Sequence, residues 1–223
     1  GDCPWEEDLK FARSVCEQTG VELKVVSLQD AYQDKVVQYA LAQLKEGRTP
    51  SPDIYCNERV KFGIFFDHLK EDYDKVASGH YAKVIESDEG CFKLLRAPDV
   101  IKDQTYFLSN LNQEQLSKII FPLGDYTKNE VRELAQKYNL ANKARKDSQG
   151  ICFLGKIPYN EFIKFHLGEK PGDIVEYETS KVMAKHKGVW FHTIGQRKGL
   201  GLGGGPWYVV KKDLKENIVY ISH

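Results

Sequence analysis

The sequence predicts a parallel α/β domain followed by a smaller β-rich domain, with the division near residue 160. Three observations carry this. Residues 5–46 read as helix, strand and helix in succession, the order that builds parallel layers. A short apolar run at 74–78 then meets Gly79-His80-Tyr81, and the carboxyl end of such a strand is where open α/β sheets hold ligands. From residue 158 the pattern changes to short alternating segments, at 174–177, 189–192, 207–210 and 218–221, typical of a small β domain.

In order, residues 5–19 form an amphipathic helix with Leu9, Ala12 and Cys16 on its apolar stripe and Gly20 ending it. Cys16 is therefore expected to be a buried packing residue. Residues 21–28 alternate as a strand, and 30–46 form a second helix closed by Gly47. A parallel sheet normally begins with a strand, whereas this sequence begins Gly1-Asp2-Cys3-Pro4, so the sequence is expected to be a fragment. Pro50 and Pro52 lack N–H groups and bias Thr49 and Ser51 away from helical angles, which predicts a stiff extended loop presenting Asp53 and Cys56. Asn57 is then the N-cap of a helix to about residue 70, with Val60, Ile64, Phe65 and Leu69 inward. Segments 83–85 and 91–95 make a hairpin, and Cys91 at its edge is expected to be structural. Thr127 and Glu130 match a capping box opening a helix to about residue 138. A helix spans about 159–166.

Composition excludes several classes. Lysine plus arginine number 32, as do aspartate plus glutamate, so no bulk charge favours nucleic acid and any basic patch is local. Mean hydropathy is −0.49, no apolar run approaches the roughly 20 residues of a membrane span, and no signal-peptide pattern is seen. The five cysteines are odd in number and irregularly spaced, with no C-x-x-C pair. That is a cytosolic pattern without a zinc ribbon. The six histidines show no metal spacing.

Cys56 and Cys152 stand apart because their neighbours are polar or small and no apolar periodicity accounts for them. Lys143, Arg145 and Lys146 precede Cys152 and would favour a thiolate if folded over it. Asp53 could hold or move a proton at the same centre. The residues alone support a redox or sulfur-transfer pair; two unrelated cysteines remain the other reading. His80 is either a ligand-site residue or a satisfied loop histidine. Lys102-Asp103-Gln104-Thr105-Tyr106-Phe107 is either a solvated turn docked by its aromatics or a contact for a phosphate and a base. Gly199–Gly205 lacks the Lys-Ser/Thr and following helix of a nucleotide cradle. It is a flexible turn or, with Arg197 and Lys198, a backbone contact for nucleic-acid phosphate.

Five motifs taken together resemble the tRNA-specific 2-thiouridylases. They are Thr49-Pro50-Ser51-Pro52-Asp53-x-x-Cys56-Asn57, Ser78-Gly79-His80-Tyr81, Lys102-Asp103-Gln104-x-Tyr106-Phe107, Lys146-Asp147-Ser148-x-Gly150-Ile151-Cys152-Phe153 and Gly195-Gln196-Arg197-Lys198-Gly199-Leu200-Gly201. They occur in order over nearly the whole chain. The resemblance implies a PP-loop ATP-pyrophosphatase domain at 1–160, with a Rossmann-like (adenine nucleotide alpha hydrolase-like) parallel sheet, and a central β-rich domain at 161–223. The family's Ser-Gly-Gly-Val-Asp-Ser-Ser phosphate loop and its C-terminal β-barrel have no counterpart in this sequence.

The activity implied is ATP-dependent 2-thiolation of the wobble uridine in tRNAs for Lys, Glu and Gln. By the resemblance Cys152 carries the persulfide, Cys56 is its partner nucleophile and Asp53 is the acid/base beside the target base. Ser51 and Pro52 line that base, Gly79 falls at the ATP site, and His80, Lys102, Asp103 and Gln104 fall at tRNA-recognition positions. ATP with magnesium, tRNA, and a sulfur donor (a cysteine desulfurase or sulfur relay protein) are implied, in the bacterial cytoplasm or in a mitochondrion, with no membrane. The other expectations are a thiol-disulfide oxidoreductase using Cys56 and Cys152, and a non-catalytic tRNA-binding fragment. Another PP-loop adenylating enzyme, such as a lysidine synthetase, leaves the two separated cysteines unexplained.

Overall fold

A computed structural model describes residues 5–69, 73–145 and 157–223. The chain forms two compact units, Gly1–Val36 with Pro52–Lys156 and Val37–Ser51 with Ile157–His223.

The first unit opens with the helix Trp5–Thr19, whose first turn carries Glu6, Glu7 and Asp8 at the positive end of the helix dipole. Gly20, at φ 71°, ends it. No residue of this helix is buried, and Cys16 is half-buried rather than a core residue. The reason lies in how the helix is held: Gln18 Nε2 donates to Asn139 O at 3.0 Å, Ala141 N donates to Gln18 Oε1 at 3.1 Å, and the Arg145 guanidinium lies over the Phe11 ring. These are ties at an edge. Residues 21–28 form no strand, and Val21 and Val25 are exposed. Alternation alone makes no strand; among the described residues none pairs with this segment.

The helical run at 29–45 has an α turn Gln29–Tyr32, a π-helical stretch Gln33–Val37 and an α-helix Gln38–Lys45. Gly47, at φ 80°, follows it. The loop expected around Pro52 is instead a helix start. Pro52–Tyr55 is α-helical, Cys56–Ile64 is π-helical and Phe65–Leu69 is α-helical again. Proline fits the first helical position because its missing N–H would have no partner there, so only residues 49–51 keep the non-helical backbone expected of them. Asn57 consequently lies inside the helix and caps nothing. The buried side of this run is Cys56, Asn57, Val60, Phe62 and Phe66, whereas Ile64, Phe65 and Leu69 are only half-buried; wider turns shift the phase of the buried face from an α-helical reading.

Strand β1 (Val76–Ala77) pairs in parallel with β4 (Ile119–Ile120), while β2 (Ala82–Glu86) and β3 (Phe92–Arg96) form the expected antiparallel hairpin. Cys91 is exposed, because it belongs to the hairpin turn, where Ser87 N donates to Cys91 O at 2.8 Å, rather than to the packed strands. The core of this unit is Phe62, Ala82, Leu108, Ile119 and Phe121. The helix Lys128–Lys137 carries the expected capping box of Thr127 and Glu130.

In the second unit the helix Gln38–Lys45 packs against the helix Tyr159–Leu167, with Leu44, Phe162 and Ile163 buried. Beside them β5 (Gly172–Glu176), β6 (Val182–His186), β7 (Tyr208–Asp213) and β8 (Ile218–Ser222) form one sheet in the order β6-β5-β8-β7. Only the β5–β8 pair is parallel. The segment expected as a strand at 189–192 is a 3₁₀ turn, Val189–Phe191, and β6 adds a strand whose alternation in sequence, Val-Met-Ala-Lys-His, is weak. The turn's Val189 still serves the core, with Ile174, Leu200, Trp207, Val209, Val219 and Ile221.

Candidate active site on the first unit

Three segments of the first unit converge: the helix start at Pro52, the segment Ser78–Tyr81 after β1, and the turn Lys102–Leu108 after β3. Their meeting follows from local bonds. The Tyr81 N–H donates to Gln104 Oε1 at 3.0 Å, tying the second segment to the third. Asn57, 2% exposed, donates from Nδ2 to Phe107 O at 3.1 Å, tying the first to the third. Gln115 Nε2 adds bonds to Glu58 O at 2.7 Å and Phe62 O at 3.0 Å, which brace the π-helical stretch from outside.

The Lys102–Gln104 turn is built by two aspartates. Asp99 Oδ1 accepts from the N–H groups of Ile101 and Lys102, and Oδ2 accepts from Lys128 N at 2.7 Å. These backbone donors hold the Asp99 carboxyl below the usual carboxylate range. Asp103 Oδ1 accepts from Thr105 N at 2.9 Å and Thr105 Oγ1 at 2.6 Å, and Oδ2 pairs with Arg96 Nε at 2.8 Å. The Thr105 bonds, more than the arginine, lower its pKa as well. Asp103 is thus a bracing group, and the turn projects Val100 and Ile101, 88% and 92% exposed.

Tyr106 lies on Phe107 with ring centroids 3.9 Å apart and remains exposed. Its hydroxyl is pushed above its ordinary pKa, first by desolvation and then by the charges of Asp53 and Asp103. The Asp53 carboxylate therefore lies within electrostatic reach of the Tyr106 hydroxyl, in the first turn of its helix. Arg59 covers Tyr55, in the same first turn as Asp53, with its guanidinium 4.7 Å from the ring centroid.

His80 shares a 2.7 Å hydrogen bond with Ser78 through Nδ1 and packs its ring near Phe62 and Phe121. Burial, aided by the charge of Lys61, pushes its pKa down to about 4. At neutral pH it is an uncharged ring. Gly79 beside it is exposed, and a Cβ placed there would meet only Leu123 Cδ1, at 3.9 Å.

The described structure thus brings Pro52, Asp53, Cys56, Gly79, His80, Lys102, Asp103 and Gln104 into one unit, with the ties above among them. Cys56 is fully buried, at the first position of the π-helical stretch. Ser51 belongs to the second unit, and Cys152 lies outside the described residues. Among the described residues no group of three His, Cys, Asp or Glu side chains is arranged to hold a metal ion, and no helix is long and apolar enough to cross a membrane. Sequence reasoning missed Asn57 as a clamp and Asp99 as the organiser of the turn. The signal for Asp99 was its place three residues before Lys102, the spacing at which an aspartate folds back on main-chain donors.

Residues 1–156 match the family model described as tRNA methyl transferase HUP domain, and residues 160–223 match the one described as tRNA methyl transferase PRC-barrel domain. Among curated proteins, the tRNA-specific 2-thiouridylase MnmA of Parabacteroides distasonis is 52% identical over 222 residues, covering 100% of this chain and 62% of its own length. The tRNA-specific 2-thiouridylase MnmA 2 of Bacteroides fragilis is 50% identical over 222 residues, with 63% of its length covered. The protein of the same name (MnmA) from Porphyromonas gingivalis is 49% identical over 221 residues. The chain therefore spans under two thirds of the length of these relatives, and its first domain is a HUP, Rossmann-like domain joined to a small β-rich one. On the match of both domains and the identity along the whole chain, this protein belongs to the tRNA-specific 2-thiouridylase family.

Proposed function

We propose that the chain is the catalytic and central part of an enzyme that replaces the C2 oxygen of a tRNA wobble uridine by sulfur, with ATP, in tRNAs for Lys, Glu and Gln. The observation that carries this reading is the bonded junction of the Pro52 helix start, the His80 segment and the Lys102–Gln104 turn in a member of this family.

Asp53 holds or moves a proton at the uridine, and the exposed Tyr106 ring beside it offers a stacking face to a splayed base. Ser51 and Pro52 border that base. Neutral His80 and the Lys102–Gln104 turn position the RNA. Gly79 fits a nucleotide contact: it follows a parallel strand and nothing in the protein demands its bare backbone. ATP, accompanied by magnesium on its phosphates, supplies the activation that lets the C2 oxygen leave with AMP.

Cys152 presents the terminal sulfur of its persulfide to C2, forming the C–S bond as the oxygen leaves. The Cys56 thiolate then attacks Cys152 Sγ; the persulfide S–S bond breaks, its electron pair stays on the uridine sulfur, and a Cys56–Cys152 disulfide forms. A thiol reductant returns both cysteines. In the other order Cys56 attacks first and sulfide is released to react at C2. Both orders need Cα atoms about 4.4–6.8 Å apart in the disulfide and require Cys56 to leave its buried position by local opening. The sulfur comes from a cysteine desulfurase or relay protein, and the bacterial cytoplasm is the compartment this reading carries.

The test follows labelled sulfur into tRNA with full-length protein, ATP and a sulfur source. Cys152→Ser abolishes thiolation and leaves adenylation of tRNA intact, because serine forms no persulfide. Normal multiple-turnover thiolation by that variant refutes the mechanism. Disulfide reduction without AMP release would instead mark a thiol-disulfide oxidoreductase, and tRNA retention without sulfur incorporation a binding fragment.

A further inference from the structure

The loop between the 3₁₀ turn Val189–Phe191 and β7 is anchored from beneath and bare on top. Leu200 and Trp207 sink into the core of the second unit, while Gly199, Gly201, Gly203 and Gly204 stay exposed. Between them lies a concavity of about 420 Å³ lined by Arg197, Gly199, Gly201, Gly203, Gly205 and Trp207, among others.

Two carbonyls of the loop are taken from the protein side. Gln196 Nε2 donates to Lys198 O at 3.0 Å, and Trp207 Nε1 donates to Gly203 O at 3.0 Å. In a trans peptide the N–H points opposite its C=O, so the N–H groups of Gly199 and Gly204 are turned away from those protein donors. Among the described residues the N–H groups of Gly199, Gly201, Gly203 and Gly204 donate to nothing in the protein. Arg197 and Lys198 are exposed and have no carboxylate partner there either. Main-chain N–H groups without a protein acceptor beside a concavity, flanked by exposed cations, are the features that hold an anion.

The glycines themselves add an independent point. Gly199, Gly201 and Gly204 have φ of 80°, 67° and 84°, which accounts for them by conformation. Gly203 does not have a positive φ, and a Cβ placed there would meet no atom within 4 Å. Neither backbone nor packing requires glycine at 203, whereas close approach of a ligand to the main chain would.

We propose that the loop 197–204 is a phosphate cradle for the RNA backbone of the substrate tRNA, reading no base. This rests on the reading that tRNA is the substrate. It is a second contact surface, on the central domain, built of main-chain donors and two cations, so it strengthens binding to different tRNA sequences alike.

The experiment measures tRNA affinity of the full-length protein, as a function of salt, with unmodified transcripts. Gly203→Ala is expected to weaken binding about tenfold with an unchanged Tm, since the alanine has room in the free protein. Arg197→Ala and Lys198→Ala should each lower the log–log salt slope by about one, the signature of a lost phosphate contact. Millimolar ATP should not displace the RNA. Variants that keep wild-type affinity and slope overturn the cradle while leaving tRNA as the substrate. Displacement by ATP that Gly203→Ala removes assigns the loop to a free nucleotide and overturns the RNA assignment. A wild-type protein that binds no tRNA overturns both the substrate reading and the cradle.

Discussion

Asn57 is the most informative position to perturb, because it joins the helix that carries Asp53 to the turn that carries Tyr106. Its Nδ2 donates to Phe107 O at 3.1 Å, its Oδ1 has no partner, and the residue is 2% exposed. Asn57→Ala leaves the Phe107 carbonyl without its donor and opens a small void, a combined cost of about 2–4 kcal/mol. Asn57→Asp keeps the volume and removes the donor. Ionised, that aspartate is a buried charge facing a carbonyl; protonated, its O–H replaces the lost N–H. Its folded pKa must then rise above the unfolded value near 3.9, and each unit of rise costs about 1.4 kcal/mol at pH 7. A rise of two to three units gives about 3–4 kcal/mol. The sign is specific: the deficit relative to the native protein is full at pH 7, shrinks as pH falls through the raised pKa, and vanishes near pH 4. Urea denaturation of both proteins from pH 7 to pH 4.5 measures it. An Asn57→Asp protein within about 0.5 kcal/mol of the native one at pH 7, or a deficit that does not shrink with acid, refutes the clamp.

Two further outcomes follow from partly buried residues. His80 has its pKa pushed down to about 4, below the ordinary value, so folding favours the neutral ring. Its contribution is intact above about pH 6.5 and is lost as pH falls toward 4, by about 3 kcal/mol in all. His80→Gln should remove one proton's worth of slope in that window of the denaturation profile, and an unchanged slope refutes the assignment. In the second unit Gly172 sits under Asn217: a Cβ at 172 would meet Asn217 O at 2.1 Å and His186 Cε1 at 2.7 Å. Gly172→Ala should therefore cost upward of about 3 kcal/mol, read as a fall in Tm; a Tm unchanged within 2–3 °C would show that the strand start can move aside.

Much of the frame was legible because it depends on neighbours in sequence. Gly20 and Gly47 end helices, Thr127 and Glu130 cap one, and the turn at Ser87–Gly90 closes a hairpin, all through residues a few positions apart. What failed depended on partners far away in the chain. Residues 21–28 alternate correctly for a strand yet pair with none among the described residues. The apolar stripe points Cys16 to the interior and the burial habit of cysteine points Cys91 there, but exposure is decided by what packs over a position, and Cys16 is only half-buried and Cys91 exposed. At Pro52 the restriction falls on one side only: proline disfavours helix at the residue before it and favours helix from itself onward. For the candidate site, the motif residues of the first unit were found in sequence, whereas the groups that hold them, Asn57 and Asp99, show their roles only through bonds to Phe107 and Lys128.

The π-helical stretch Cys56–Ile64 gives this helix slack in chain length. Each wide turn closes over one residue more than an α turn does. Deleting a single residue from the stretch would let wide turns rewind as α-helix, and because the rewinding takes up the missing residue, the flanks would turn by well under the roughly 100° that one residue subtends in an α-helix. No such reserve exists in the α-helical turn Pro52–Tyr55. One residue lost there would swing Asp53 away from Tyr106. A library of one-residue deletions should therefore divide by position: members shortened within residues 58–64 keep the two halves of the candidate site facing each other, and members shortened within residues 52–55 stay folded with the halves turned apart.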